Sequence, residues 1–425
     1  MSHQRYQTGD QALVRQINLS VILHQLREHA PISRAALAER TGLNKTTVSS
    51  LVSELIEKKF VREVGLELST AGRGAGRLAM LLTLNPTAGY IVSGEIGVDF
   101  ISVICTNFAP EFIWRYKENI DPKMGQRIIV ERALALLLKA SEVGRKHCTK
   151  LLGVAVGVPG LIDQASGTLL FAPNLGWTNT PLRKLLQESF PAPVFVANEA
   201  NMAALGEHYF GVARTFDEVL YISAGVGLGG GIVHHGSLFS GVTGVGAEFG
   251  HMTMDPDGEL CGCGNRGCWE TQVSQKALFQ YVRAAIQNGQ SSSLNEIGGE
   301  QGNQLTVTMI VSAAEAGDAV AIQALHMLGH YLGIGIASLV NALNPDLVVI
   351  GGILSLADEF ILPAIKQELH NRALEWNREA TQVVIAKHGL DSCVLGGVAL
   401  VYQAILAKPD NVGNWISSSV MAQQI

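Results

Sequence analysis

Between residues 248 and 270 the chain reads Glu248-Phe-Gly-His251 and then, ten residues after the histidine, Cys261-Gly-Cys263-Gly-Asn-Arg-Gly-Cys268-Trp-Glu270. Three thiolates and one imidazole fill the four positions of a tetrahedral structural zinc, so His251, Cys261, Cys263 and Cys268 are the candidate ligands. Gly262, Gly264 and Gly267 let the backbone wrap around such an ion. The alternative is a set of reduced thiols in a glycine-rich loop. Three of the chain's six cysteines fall within eight residues behind a histidine, and this clustering favours the metal. A closed site of this kind offers no open position for catalysis. Its use is to fix Glu248, His251 and Glu270 relative to one another, which matters where carboxylates meet a ligand.

The pattern Glu-x-Gly-His followed by Cys-Gly-Cys-Gly-x-x-Gly-Cys-x-Glu closely resembles the zinc knot of the ROK family, which groups repressors, open reading frames of unassigned role and sugar kinases. The resemblance covers essentially the whole chain. It implies an α/β fold with an actin-like ATPase body of two ribonuclease-H-like lobes, and a sugar site. Repressor or kinase is left to the rest of the chain.

With 425 residues, 47% of them hydrophobic and 16% charged, the chain has material for two or three domains with substantial cores and is not of the disordered class. The N-terminal residues carry no secretory pattern, and apolar runs such as Tyr331 to Leu343 are short and glycine-interrupted, so the expectation is a cytoplasmic protein with no membrane partner. Cys105, Cys148 and Cys393 are scattered, as in a reducing compartment. The net charge of −6 argues against nucleic acid, but it conceals an asymmetry. Residues 1–80 hold 11 Lys/Arg against 7 Asp/Glu, and the remainder holds 20 against 30. Only the N-terminal segment suits a phosphate backbone.

That segment reads as a winged helix-turn-helix. Leu13, Ile17, Val21, Ile22 and Leu26 recur at helical spacing; Ser33 caps a second helix; Thr41-Gly42-Leu43 turns into a third, capped by Asn44. In the third helix Val48, Leu51, Val52, Leu55 and Ile56 form an apolar stripe, while Lys45, Thr46, Thr47, Ser49 and Ser50 crowd the exposed start, the end that enters a major groove. Two strands then flank a glycine-rich tip carrying Arg73 and Arg77, a wing with cations for a minor groove. A protein-binding helical bundle and a solvated linker are the competing readings. Arg34-Ala-x-Leu-Ala and Lys45-x-Thr-Val-Ser also resemble the N-terminal domain of ROK repressors, which the family's kinases lack. Arg34, Asn44, Lys45, Thr46, Thr47, Ser49, Ser50, Arg73 and Arg77 are therefore the candidate contacts to double-stranded operator DNA.

From about Leu81, strands and helices alternate, as in two α/β lobes facing a cleft. The expected domains are residues 1–80, a first lobe of 81–196 completed by 391–425, and a second lobe of 197–390. Pro173-Asn174-Leu-Gly-Trp177 resembles the family segment whose Asn touches a sugar hydroxyl, with Trp177 as a wall. Asn198-Glu199-Ala-Asn201 opens a helix after a strand. Asn174, Asn198, Glu199, Glu248, His251 and Glu270 thus make up the expected monosaccharide site, a set of donors and acceptors for a hydroxyl-rich ligand. In the family the residue matching His251 serves zinc and sugar through its two ring nitrogens.

Family kinases carry Asp-x-Gly-Gly-Thr after the first strand and Asn-Asp at the base position. Here these read Glu95-Ile-Gly97-Val98-Asp99 and Asn198-Glu199. Asp99 would set a carboxylate against phosphate, and the extra methylene of Glu199 displaces a base by about 1 Å. The second glycine loop, Ala224 to Gly231, has Val226 where kinases have a hydroxyl. Asn-Glu-Ala-Asn looks like the xylose-repressor branch. The expectation is a sugar-responsive repressor without enzymatic activity, a homodimer or higher oligomer on a palindromic operator. The alternative is an ATP-dependent sugar kinase, glucokinase-like, with an added DNA-binding domain.

Overall fold

The computed structural model describes residues 11–66, 79–297 and 305–407. Its first helix, α1 (Gln11–His29), buries Leu19, Ile22, Leu23 and Leu26, which recur at i, i+3, i+4 and i+7 along one face. The expected stripe is corrected here. Ile17 and Val21 are 53% and 36% exposed, because Leu13, Ile17 and Val21 form a row turned by about 100° from Ile22 and Leu26. After β1 (Ile32–Ser33), the Ser33 hydroxyl accepts from the Ala36 amide to cap α2 (Arg34–Thr41), and Gly42 ends it at φ 69°. Asn44 Oδ1 accepts from the Thr47 amide at 2.7 Å and so caps α3 (Lys45–Glu57), whose Val48, Leu51, Val52 and Leu55 are buried. β2 (Val61–Leu66) and β3 (Met80–Leu84) pair antiparallel as a wing, and β1 adds a third strand beside β3. Arg73 and Arg77 lie outside the described residues.

The body follows as two sheets of one plan. The first comprises β4 (Tyr90–Ile96), β5 (Phe100–Asn107), β6 (Phe112–Asn119), α4 (Gln126–His147), β7 (Leu151–Val158), the small sheet β8 (Leu161–Asp163), β9 (Thr168–Ala172) and β10 (Trp177–Thr180), then α5 (Leu182–Gln187) and β11 (Val194–Asn198). Its order is β11-β7-β4-β5-β6, with β4, β7 and β11 parallel and β5 and β6 antiparallel. After α6 (Glu199–Phe210) the plan recurs with β12 (Glu218–Ala224), β13 (Leu228–His234) and β14 (Ser237–Leu238). Next come α7 (Glu270–Val273), α8 (Gln275–Gln287), α9 (Leu294–Ile297), α10 (Val307–Glu315), α11 (Ala319–Leu343), β15 (Leu347–Gly351), α12 (Asp358–Arg372), α13 (Glu375–Ala380), β16 (Gln382–Ile385) and α14 (Ser392–Ala407). The second order is β14-β13-β12-β15-β16, with the same directions in the corresponding places. These are the two α/β lobes expected from the alternating pattern.

Two expectations change in the body. Residues 228–231, read as part of a glycine loop, belong to β13 and pair with β12; only Gly225-Val226-Gly227 is a turn. The glycines at 230 and 231 are needed for packing, since a Cβ there would stand 2.2 Å from the Phe249 ring and 2.8 Å from Ala204 Cβ. Trp177 is 3% exposed in the core of the first lobe and walls no cleft. The glycine-bearing helix α11 makes its close contact inside the second lobe, against α12 and the Trp269 ring. By length and composition α11 and residues 389–407 would cross a membrane, but both are mostly buried in the protein and serve as core helices.

Head and body share one core. Leu19, Ile22 and Val52 of the head belong to the same apolar cluster as Val394, Val398, Tyr402 and Leu406 of α14. Phe60 of the head, Phe108 after β5 and Tyr402 form a row of rings with centroids 5.3 and 5.2 Å apart. Arg27 of α1 lies 4.0 Å over the Tyr209 ring of α6, and Gln16 Nε2 donates to Ala407 O at 2.6 Å.

Candidate effector and metal site

Glu248 precedes a single 3₁₀ turn, Phe249–His251, and the isolated bridges Thr253–Cys268 and Leu260–Arg266 fold the cysteine loop back upon it. His251 Nδ1 lies 3.7 Å from Cys261 Sγ, and Cys263 Sγ lies 3.7 Å from Cys268 Sγ. The four donor atoms are all within 4.8 Å of one another. Bonds of ~2.3 Å to sulfur and ~2.0 Å to nitrogen at tetrahedral angles give edges of about 3.8 and 3.6 Å, which the two separations of 3.7 Å match, so the cluster is compatible with a zinc ion. With Nδ1 on the knot side, Nε2 of His251 points away from it. Glu270 Oε1 takes a hydrogen bond from the Cys261 thiol at 2.9 Å, and its Oε2 accepts from the Leu228 amide at 3.4 Å.

A cleft of about 260 Å³ lies between the lobes, at the carboxyl ends of β4, β11 and β12, where open α/β sheets bind ligands. Asn174, Asn198, Glu199, Glu248, His251 and Glu270 all line it. Asn198 caps α6: its Oδ1 accepts from the amides of Ala200 and Asn201, and its Nδ2 donates to Gly160 O and Glu199 Oε2. Its four hydrogen-bonding positions are taken, so it positions Glu199 and the loop at Gly160. Burial, with Glu248 nearby, pushes the Glu199 carboxyl up to about 7, and burial also raises Glu248.

Glu95 is a cleft residue that its sequence position identified only as a departure from a kinase loop. It is the penultimate residue of β4 at 8% exposure, its Oε2 has no partner, and burial together with Glu199 pushes it up to about 8. The signal is its place near the carboxyl end of the central strand, where such sheets bind ligands. Val98, Asp99 and the turn Gly225-Val226-Gly227 line the same cavity. Carboxyls at 95, 199, 248 and 270, with the exposed Asp99, share this small volume with Lys117, the one lysine or arginine lining it among the described residues.

On the head, Asn44, Lys45, Thr46, Ser49 and Ser50 are exposed along the start of α3, and Thr47 is half-buried. Arg34 stands apart from that row, with its guanidinium 3.3 Å from Glu63 of β2.

The ROK family model matches residues 92–404, and a MarR family model matches residues 20–67. The chain belongs to the ROK family. A xylose repressor of Caldicellulosiruptor bescii is 35% identical over 95% of this chain and 99% of its own. The crystal structure of a ROK family transcriptional regulator, a homologue of the E. coli MLC protein, superposes with TM-score 0.78 at 28% identity, covering 93% of this chain and 97% of that one. A ROK family glucokinase from Streptomyces griseus, in complex with glucose and AMPPNP, matches with TM-score 0.66 at 30% identity. It is covered completely by 74% of this chain. The ROK fold therefore serves both regulators and kinases, and the likeness to the regulator extends over the head as well as the body.

Proposed function

We propose that this ROK protein is a sugar-responsive transcriptional repressor of carbohydrate-utilisation genes, released from its operator by a monosaccharide. The observation that carries the reading is a winged-helix head whose core is continuous with a cleft-bearing body. A reader of DNA rigidly joined to a ligand pocket can convert closure of the lobes into a change of head position. Asn44, Lys45, Thr46, Ser49 and Ser50 would meet the major groove, with Thr47 behind them, while Arg34, Arg73 and Arg77 would supply phosphate and minor-groove contacts. A dimer would set two such heads on successive half-sites.

In the cleft, Asn174 and Glu270 would hold sugar hydroxyls beside Glu199, Glu248 and His251 Nε2, with Asn198 as a positioning residue. His251, Cys261, Cys263 and Cys268 would hold a structural zinc, which supplies rigidity and no reacting group. The lining of carboxyls and amides suits a neutral polyol, and the Asp99 carboxylate would repel a triphosphate. Xylose is the favoured sugar, since the relative is named a xylose repressor. For release, the sugar must bind the free form more tightly; a hundredfold preference corresponds to about 2.7 kcal/mol of coupling.

One observation favours the kinase reading: Glu199, held at about 7, is poised as a base. Against it stand Asp99 beside the expected phosphate position and glycines 229–231 in a strand. A gel-shift series with operator DNA across common aldoses, paired with coupled detection of ADP release, separates the two. Sugar-dependent release without ATP turnover supports the repressor; robust sugar-dependent turnover overturns it.

A further inference from the structure

A second cluster of metal-ligating side chains lies away from the knot, at the β12–β13 edge of the second lobe. Glu218 opens β12 and faces His234 across the antiparallel ladder, with His234 Nδ1 2.6 Å from Glu218 Oε1. On a continuing strand the next residue, His235, would turn to the opposite face. The strand instead bends. His235 and Gly236 take φ 47° and 76°, the left-handed pair of a two-residue hairpin between β13 and β14. The bend brings both imidazoles to one side, with ring centroids 4.3 Å apart. His235 Nε2 then lies 3.7 Å from the same Oε1, and its Nδ1 lies 4.0 Å from Asp217 Oδ2.

We propose that Glu218, His234 and His235, with Asp217 beside them, bind a borderline divalent cation of the Zn²⁺ or Ni²⁺ class, at a site separate from the cysteine knot. The three donor atoms lie within 4.8 Å of one another, and the separations of 2.6 and 3.7 Å from Glu218 Oε1 bracket the edge of about 3.3 Å that bonds of ~2.0 Å define. Two imidazoles and a carboxylate select such ions over Mg²⁺ or Ca²⁺, which take all-oxygen shells. His234 and His235 are 60% and 67% exposed, so an ion reaches them from solvent and water completes its shell. The position has a consequence for the head. Asp217 and His235 also line a groove of about 810 Å³ between head and body, whose other wall includes His24, Arg27 and Glu28 of α1. Arg214, three residues before Asp217, donates to Glu28 O at 3.3 Å. An ion would pin the β13–β14 turn to the segment that touches α1.

The test is calorimetric titration of tag-free, full-length protein, as isolated and freed of unbound metal, with Ni²⁺ at pH 7.5 and with Mg²⁺ in parallel. The expected result is one saturable Ni²⁺ site per chain and none for Mg²⁺. His234→Ala or His235→Ala should weaken it about tenfold or more, and the double variant should abolish it. Zinc content, measured on the same samples after a weak chelator has stripped the exposed site, should stay unchanged, which separates this site from the knot. The substitutions are at exposed positions, and an unchanged circular dichroism spectrum verifies the fold. Absence of saturable Ni²⁺ binding, or binding that persists in the double variant, overturns the proposal.

Discussion

Replacing Glu95 by Gln isolates one buried carboxyl of the cleft. Glu95 is 8% exposed, and its carboxyl is raised from 4.5 to about 8, first by burial and then by Glu199, with Lys117 opposing. Below pH 4.5 both the folded and unfolded chains hold the proton, and the group's contribution is fully present. As pH rises further, the unfolded chain ionises while the folded one does not, so stability falls by about 1.4 kcal/mol per pH unit. The loss is complete once pH passes the folded value of about 8. Acting alone over that interval, Glu95 would cost roughly 5 kcal/mol. Glu199, raised to about 7 in the same cavity, is electrostatically coupled to it and titrates over the same range, so the realised difference is on the order of 2–4 kcal/mol. Gln keeps the shape and a hydrogen-bonding oxygen but cannot ionise. The variant should match the parent near pH 4.5 and exceed its stability by about 2–4 kcal/mol at pH 8.5. Urea unfolding across this range, read as variant minus parent, cancels the other titrating groups. Calorimetry of the same samples checks that unfolding is cooperative. A difference that stays flat from pH 4.5 to 8.5 would refute burial of an ionisable group as the origin of the effect.

Cys263→Ser should remove bound zinc, read by elemental analysis, and lower the unfolding temperature, since a structural ion contributes its binding energy to folding; undiminished zinc would show that the knot is not its ligand set. Asn44→Ala deletes the cap of α3 and should cost about 1 kcal/mol, read by denaturation. Lys45→Ala should instead weaken operator binding across sequences and reduce the log–log salt slope by about 1, read by gel shift at several salt concentrations. Glu248→Gln should lower monosaccharide affinity by ten- to a hundredfold, about 1–3 kcal/mol, at unchanged zinc content; calorimetric titration with xylose decides it.

The parts of this protein that depend on neighbours in sequence were legible before any coordinates. The gathering of residues 251, 261, 263 and 268, the Asn44 and Ser33 caps and the apolar stripe of α3 all express spacings set locally, by a turn of helix or a short loop. Tertiary structure decided what depends on partners far along the chain. Trp177 went into a core and Asn198 spent its amide on a cap, whereas Glu95 joined the cleft as a third raised carboxyl. Glycines 229–231 became strand because β12 pairs with them and Phe249 and Ala204 need their space. The buried stripe of α1 differs from the expected one for a related reason: which of two apolar rows is buried depends on where α3 and α14 pack. Periodicity specifies that a face will be covered, whereas long-range contacts select the face and the chemistry it meets.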